Sequence, residues 1–206
     1  MIHIFDGAMG TMFQQLGLLQ PGACPEMLCV DHPEQVTKVH QRYVDAGSTI
    51  IESFTFGASA LKLEHYGLSD RVVEINKAAV KAAKAVKVPE GETVKIAGGM
   101  GPSGRFIKPL GDLDFEEAYD NYYQQAQALE SAGADYILIE TFIDIQEMRA
   151  ALLAAKDATN LPVICQLSYS EDGRTVTGTD PQTAAITLDA MGADIIGINC
   201  SLGPEQ

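Results

Sequence analysis

Three times along this chain a helix-like stretch ends in glycine and runs straight into aliphatic residues. The segments are Ala46-Gly47-Ser48-Thr49-Ile50-Ile51, Ala132-Gly133-Ala134-Asp135-Tyr136-Ile137-Leu138-Ile139 and Met191-Gly192-Ala193-Asp194-Ile195-Ile196. A glycine just past a helix adopts the left-handed conformation that closes it. An apolar run without polar alternation is covered on both faces, as a strand in a parallel sheet is. Each segment therefore reads as a helix feeding a buried parallel strand.

The helix starts repeat as well. Asp31-His32-Pro33, Asp70, Asp114, Asp144 and Asp180-Pro181 each precede a helical apolar period. Aspartate accepts bonds from the free amides of a first turn, and proline fits there. Glu117 and Glu147, three residues after Asp114 and Asp144, suggest capping boxes. Apolar spacing supports helices through Val36, Val39 and Tyr43, through Val72, Ile75 and Ala79, and through Phe115 to Leu129. Two further periods run through Ile145, Met148 and Leu152 and through Ala184, Leu188 and Met191. Strands are expected near 2–6, 48–53, 94–98, 135–140, 162–168 and 194–199.

Alternating strands and helices make a parallel sheet with crossover helices. Such a sheet either closes into a barrel or lies open and doubly wound. A dinucleotide-binding open sheet carries Gly-x-Gly-x-x-Gly in its first turn, and Asp6-Gly7-Ala8-Met9-Gly10 does not match it. The fold class expected is α/β, a (β/α)8 TIM-barrel type with about six of eight units in residues 1–206. A whole barrel takes roughly 250 residues, and one domain without an internal linker is expected.

Composition narrows the function. Lys plus Arg number 14 against 28 Asp plus Glu, a net charge of −14, which disfavours a nucleic-acid surface. No apolar run is long enough for a membrane span, and no secretory leader opens the chain. The four cysteines, Cys24, Cys29, Cys165 and Cys200, suit reduced thiols in the cytoplasm better than a disulfide framework.

Barrel chemistry sits at the C-terminal ends of strands. Asp6, Glu52, Gly98-Gly99, Glu140-Thr141, Ser168 and Asn199-Cys200 fall there. Acidic groups at such a mouth suit an ammonium or a metal, and a cysteine suits a nucleophile or a zinc ligand. Each has a plainer reading. Asp6 serves equally as a turn cap, Glu140 as a structural ion-pair partner, and Cys200 as a small buried hydrophobe. Cys24 and Cys29 read as loop or core thiols and Cys165 as core. His3, His32, His40 and His65 fall at a strand start, a cap and helix surfaces, with no metal-ligand spacing.

Several segments in order carry a resemblance. They are Asp6-Gly7-Ala8-Met9-Gly10-Thr11, Thr55-Phe56-Gly57-Ala58, Gly101-Pro102-Ser103-Gly104 with Pro109-Leu110-Gly111, Glu140-Thr141-Phe142, Gly178-Thr179-Asp180-Pro181, and Gly197-Ile198-Asn199-Cys200-Ser201-Leu202-Gly203-Pro204. They resemble the homocysteine S-methyltransferase family, and within it the homocysteine-binding domain of the cobalamin-dependent enzymes. The resemblance implies a zinc held by three cysteines, with Cys200 as the first. The other two would come from a Gly-Gly-Cys-Cys segment, and this sequence has no adjacent cysteine pair. It further implies that Asp6 and Glu140 hold the substrate ammonium, and that the Gly7 and Ala8 amides hold its carboxylate region. The donor would be methylcobalamin, recharged from methyltetrahydrofolate by separate cobalamin-binding and folate-binding domains. S-methylmethionine and betaine are alternative donors, and an inactive fragment or assembly module is the alternative from another class. Phe54 stands where the family usually shows asparagine.

A free alkyl thiol has a pKa of about 8.5 and is mostly protonated near neutrality. Thiolate-bound zinc with an open fourth position would take the substrate sulfur as a thiolate. Open sheet edges would favour a homo-oligomer.

Overall fold

In a computed structural model describing residues 2–19, 21–201 and 203, Gly47, Gly133 and Gly192 all have positive φ. At each, the amide after the glycine reaches back five residues. Ser48 N donates to Tyr43 O, Ala134 N to Leu129 O and Ala193 N to Leu188 O, which is the Schellman closure. The repeat in the sequence is a repeat in the backbone.

The elements alternate as expected. Helix α1 spans Met9–Gln15, α2 Leu28–Asp31 and α3 Pro33–Asp45, before strand β1 at Ile50–Glu52. Helices α4, Ala60–Glu64, and α5, Val72–Lys84, lead to β2 at Lys95–Met100. Then come α6 Phe115–Ala132, β3 Tyr136–Phe142, α7 Ile145–Ala158, β4 Val163–Leu167, α8 Pro181–Ala190 and β5 Ile195–Ile198. The short helices α1, α2 and α4 and a 3-10 turn at Pro25–Met27 were not expected. Among the described residues no helix is long and apolar enough to cross a membrane.

Every strand pair is parallel, and strand order follows chain order, β1-β2-β3-β4-β5. A doubly wound sheet reverses direction at a switch point. This sheet never reverses, so it winds as a barrel wall does. Packing alternates along each strand with period two. Ile51, Ile96, Ile137, Ile139, Val163 and Cys165 join the large core shared with the helices. Ile50, Ala97, Leu138 and Ile164 form a separate inner cluster with Phe5 and Tyr136.

Four expectations need correction. Residues 2–6 form no strand but a single parallel bridge, Phe5 to Ile50. Asp6 N donates to Ile50 O, while Ile2 and Ile4 are exposed, so this segment is held along one side only. Of the five aspartates read as caps, only Asp144 and Asp180 accept a first-turn amide, from Gln146 N and Thr183 N. The N-caps of α3 and α5 are His32 and Arg71, and Asp114 caps by position alone because its carboxylate is taken by Lys108. Neither capping box forms. Glu117 pairs with Arg105, and Glu147 turns into the core, accepting from Ser103 N and Tyr122 Oη at 2.8 Å each. Finally, His40 is not on a helix surface. It lies one turn from Val36, on the inner stripe of α3, and is fully buried.

Candidate functional site

Alternation along the strands delivers the acidic residues to one place. Glu52 lies two residues beyond the inward-facing Ile50, and Glu140 two beyond the inward-facing Leu138. Both carboxyls therefore point inside the wall at its C-terminal end. Asp6 comes in from the neighbouring segment, where its Oδ1 accepts the Glu52 amide at 3.0 Å. That bond ties the first segment to β1 and rules out the turn-cap reading, since α1 is capped at Ala8 without a side-chain bond.

At the end of β3 the register shifts between Ile139 and Phe142. Thr141 sits there at φ 63°, a backbone region that costs a β-branched residue energy. The strain is held by Asn199 from beyond β5. Its Oδ1 accepts from Thr141 N, and its Nδ2 donates to Glu140 Oε2 and Thr141 Oγ1, all at 2.9 Å. Bulges of this kind re-aim a side chain next to a site. Ser168 Oγ in turn donates to Asn199 O at 2.8 Å. The next residue, Cys200, has φ 43° and is exposed, so it is not a buried hydrophobe. Leu202 and Pro204 of the same motif lie outside the described residues.

Asp6, Gly7, Ala8, Glu140 and Cys200 thus line one cavity of about 580 Å³, together with Glu52, Thr141 and Asn199. Phe54 and Phe56 give it an apolar wall, and Phe54 packs on Phe13 with ring centres 4.9 Å apart. This size and mixture suit a small ligand. Gly98 does not belong to the mouth: a Cβ there would meet Leu129 of α6 at 3.0 Å. Cys24, Cys29 and Cys165 are buried free thiols, and burial pushes Cys24 up to about 11 and Cys165 to about 12. None of the three is a ready nucleophile.

Glu26 was missed. It is buried in the cavity wall, and its Oε1 accepts from Gly57 N at 2.8 Å. A Cβ on Gly57 would come within 2.6 Å of that oxygen, so the Thr55-Phe56-Gly57-Ala58 motif requires its glycine. The early loop carries no periodicity, and only the family motif at Gly57 hinted at a contact.

The electrostatics are lopsided. Burial raises the Asp6 carboxyl to about 7, with Glu140 adding repulsion. Burial also raises Glu52 and Glu140, and Glu52 is pushed further by the charges of Glu140 and Asp6. The Glu52–Glu140 pair therefore holds its protons above the usual carboxylate range. Among the described residues every lysine or arginine ion pair lies elsewhere. Three carboxyls without a lysine or arginine partner can each be ionised by an arriving cation.

A zinc site is not completed by these residues. Among the described residues no group of three or more His, Cys, Asp or Glu side chains could hold a metal. Cys200 offers a single thiolate where zinc takes three or four ligands.

The fold and the site together define a class, a parallel α/β wall with acidic groups and a cysteine gathered at the strand ends. The sequence profile described as Homocysteine S-methyltransferase matches residues 3–206, and the chain belongs to that family. Methionine synthase from Mycobacterium leprae is 28% identical over 100% of this chain, which spans 18% of that relative. Betaine–homocysteine S-methyltransferase 1 from Danio rerio is 31% identical over 98% of the chain, covering 50% of its own length. The oxidised form of the homocysteine methyltransferase MmuM from Escherichia coli superposes with a TM-score of 0.86 at 21% identity. That superposition covers 97% of this chain and 73% of the other. It establishes the shared barrel-type fold.

Proposed function

We propose that residues 1–206 form one homocysteine-binding domain that presents the thiol for methyl transfer, giving methionine. The observation that carries this reading is the convergence of Asp6, Glu52 and Glu140 with Cys200 on one cavity lacking a cationic partner. An amino acid whose side chain ends in a thiol has matching chemistry. Its ammonium goes to the Glu52–Glu140 pair, its carboxylate toward the Gly7 and Ala8 backbone, and its sulfur toward the Cys200 rim. A relative named for homocysteine methylation and others named for methionine synthesis span the chain, which supports the same substrate and product here.

The residues act by binding and proton exchange. An arriving ammonium favours the ionised carboxyls, so Glu52 and Asp6 give up protons as it docks. Asn199 holds Glu140 and Cys200 in fixed relation, which sets the distance between the ammonium and sulfur ends of the ligand. Cys200 is the zinc ligand of this proposal, with the remaining ligands supplied from elsewhere. Zinc, when bound, would keep the substrate sulfur deprotonated. Methylcobalamin is the proposed donor, supported by the methionine synthase relatives. The betaine-named relative supports a different donor. Cobalamin-binding and folate-binding domains of a longer enzyme are the partners, and the cytoplasm is the compartment.

Calorimetry tests the binding step. L-Homocysteine is expected to bind with proton release, seen as a buffer-dependent heat. Glu140→Gln is expected to weaken it about tenfold, the scale of a charge-assisted bond. A thiol of the same length without the amino group should fail to compete. Equal binding of that thiol would overturn the reading.

A further inference from the structure

On the helix side of the site two buried groups face each other without partners. The side chains of His40 and Asp6 are 0% and 1% exposed, and His40 Nδ1 stands 3.9 Å from Asp6 Oδ2. Asp6 Oδ2 and both ring nitrogens of His40 lack a hydrogen-bond partner. A buried polar atom left unpaired costs about 1–3 kcal/mol, and native proteins leave few of them. The gap is about 1 Å beyond an N–H···O bond. One turn along α3, Tyr43 Oη donates to Ala8 O at 3.3 Å, and a Cβ on Gly7 would meet that hydroxyl at 3.2 Å. So α3 sets two side chains, three residues apart, against the consecutive Asp6, Gly7 and Ala8.

We propose that His40 is a positioning residue, which donates from Nδ1 to Asp6 Oδ2 when a cation fills the cavity and so holds that carboxylate ionised behind the Glu52–Glu140 pair. The proposal rests on the reading that the cavity takes an ammonium. The protons balance. In the empty site Asp6 keeps its proton on Oδ2, which faces a bare Nδ1 across 3.9 Å without a bond, and the ring proton is on Nε2. In the filled site Oδ2 accepts, the ring proton is on Nδ1, and one proton has left to solvent. The ring is neutral in both states, as burial requires by lowering His40 to about 4. Glu52, Glu140 and Tyr43 also face Asp6. Glu140 opposes its ionisation and the Tyr43 hydroxyl is spent on Ala8, so among the described residues His40 alone offers Oδ2 a donor.

The 206-residue chain with ¹⁵N-labelled histidine and L-homocysteine as probe tests this. In the ligand-free protein the His40 ring shifts are expected to titrate with Asp6, near pH 7, and Asp6→Asn should abolish that titration. Adding homocysteine should move the ring to the Nδ1–H tautomer. His40→Phe keeps the packing and loses the donor, so homocysteine Kd at pH 7 should rise about tenfold and the pH midpoint of binding should move up. His40→Asn, whose amide nitrogen falls near the Nδ1 position, should recover most of the affinity. A packing role predicts the reverse order of the two variants. Wild-type affinity and pH midpoint in His40→Phe would overturn the proposal. So would His40 shifts indifferent to Asp6→Asn. A wild-type chain that binds no homocysteine would sink the ammonium reading instead, with the ligand-free titration still judging the pair. Should His40→Phe not fold, His40→Asn and the titration decide.

Discussion

Asp6 is where burial and charge conflict most openly. Its value in the folded chain, about 7, lies above the unfolded value of about 3.9. The native state therefore holds the proton more tightly, and this group's contribution to stability falls as pH rises from about 4 to about 7, then stays level. His40 slopes the other way, because burial lowers it to about 4 and its contribution grows from there to about pH 6.5. The difference between Asp6→Asn and wild type isolates Asp6. The variant is expected to gain on the order of 2 kcal/mol over wild type between pH 5 and pH 8, read from urea unfolding at both values. Parallel curves for the two proteins would show that Asp6 ionises without penalty. The same residue shows what the sequence hid. A carboxylate after a short apolar run was legible as a site residue, but its tie to the Glu52 amide joins positions 46 apart in the chain. His40 was hidden for a simpler reason: polar type outweighed its place, one turn from Val36 on the apolar stripe.

Among the elements, strands and long helices were legible because burial imposes a period on them. Strand β3 was placed within two residues of its limits, Tyr136–Phe142, and Glu140 was assigned to its C-terminal end. What periodicity cannot give is the bulge at Thr141 or the use of Glu147. Glu147 sits three residues after an aspartate cap, the spacing of a capping box, yet its carboxylate spans Ser103 N and Tyr122 Oη. Through it α7 holds the loop after β2 against α6. Glu147→Ala would strand a buried amide and a buried hydroxyl, at about 1–3 kcal/mol each. The variant should unfold at lower urea, with limited proteolysis cutting first within residues 101–113. Uniform proteolysis would deny Glu147 a local role. Gly98→Ala tests the wall itself. Its new Cβ would lie 3.0–3.2 Å from three Leu129 carbons, and overpacking of this kind costs about 1–3 kcal/mol. Homocysteine affinity per folded molecule should stay at the wild-type value, since Gly98 faces away from the cavity.

At the scale of the molecule the wall has two free margins among the described residues. Ile2 and Ile4 are 90% and 57% exposed at one, and Ile195 and Ile198 are 49% and 57% exposed at the other. Unpaired strand edges carrying aliphatic side chains associate. The isolated chain is therefore expected to form dimers or larger species at micromolar concentration, and Ile198→Lys to shift it toward monomer, as read by light scattering. A monomeric wild type would refute the edge argument. The same chain is expected to retain less than one zinc per molecule after dialysis against a chelator, because Cys200 alone is an insufficient ligand set. Strand order equal to chain order has one more consequence, which concerns synthesis. A polypeptide leaving the ribosome can add each strand to one already in place, from β1 onward. Glu52 and Glu140 are then aligned early, but the bulge that aims Glu140 is latched only when Asn199 arrives. A nascent chain halted before β5 should have the preceding wall and lack the receptor, so ligand recognition is switched on when β5 docks.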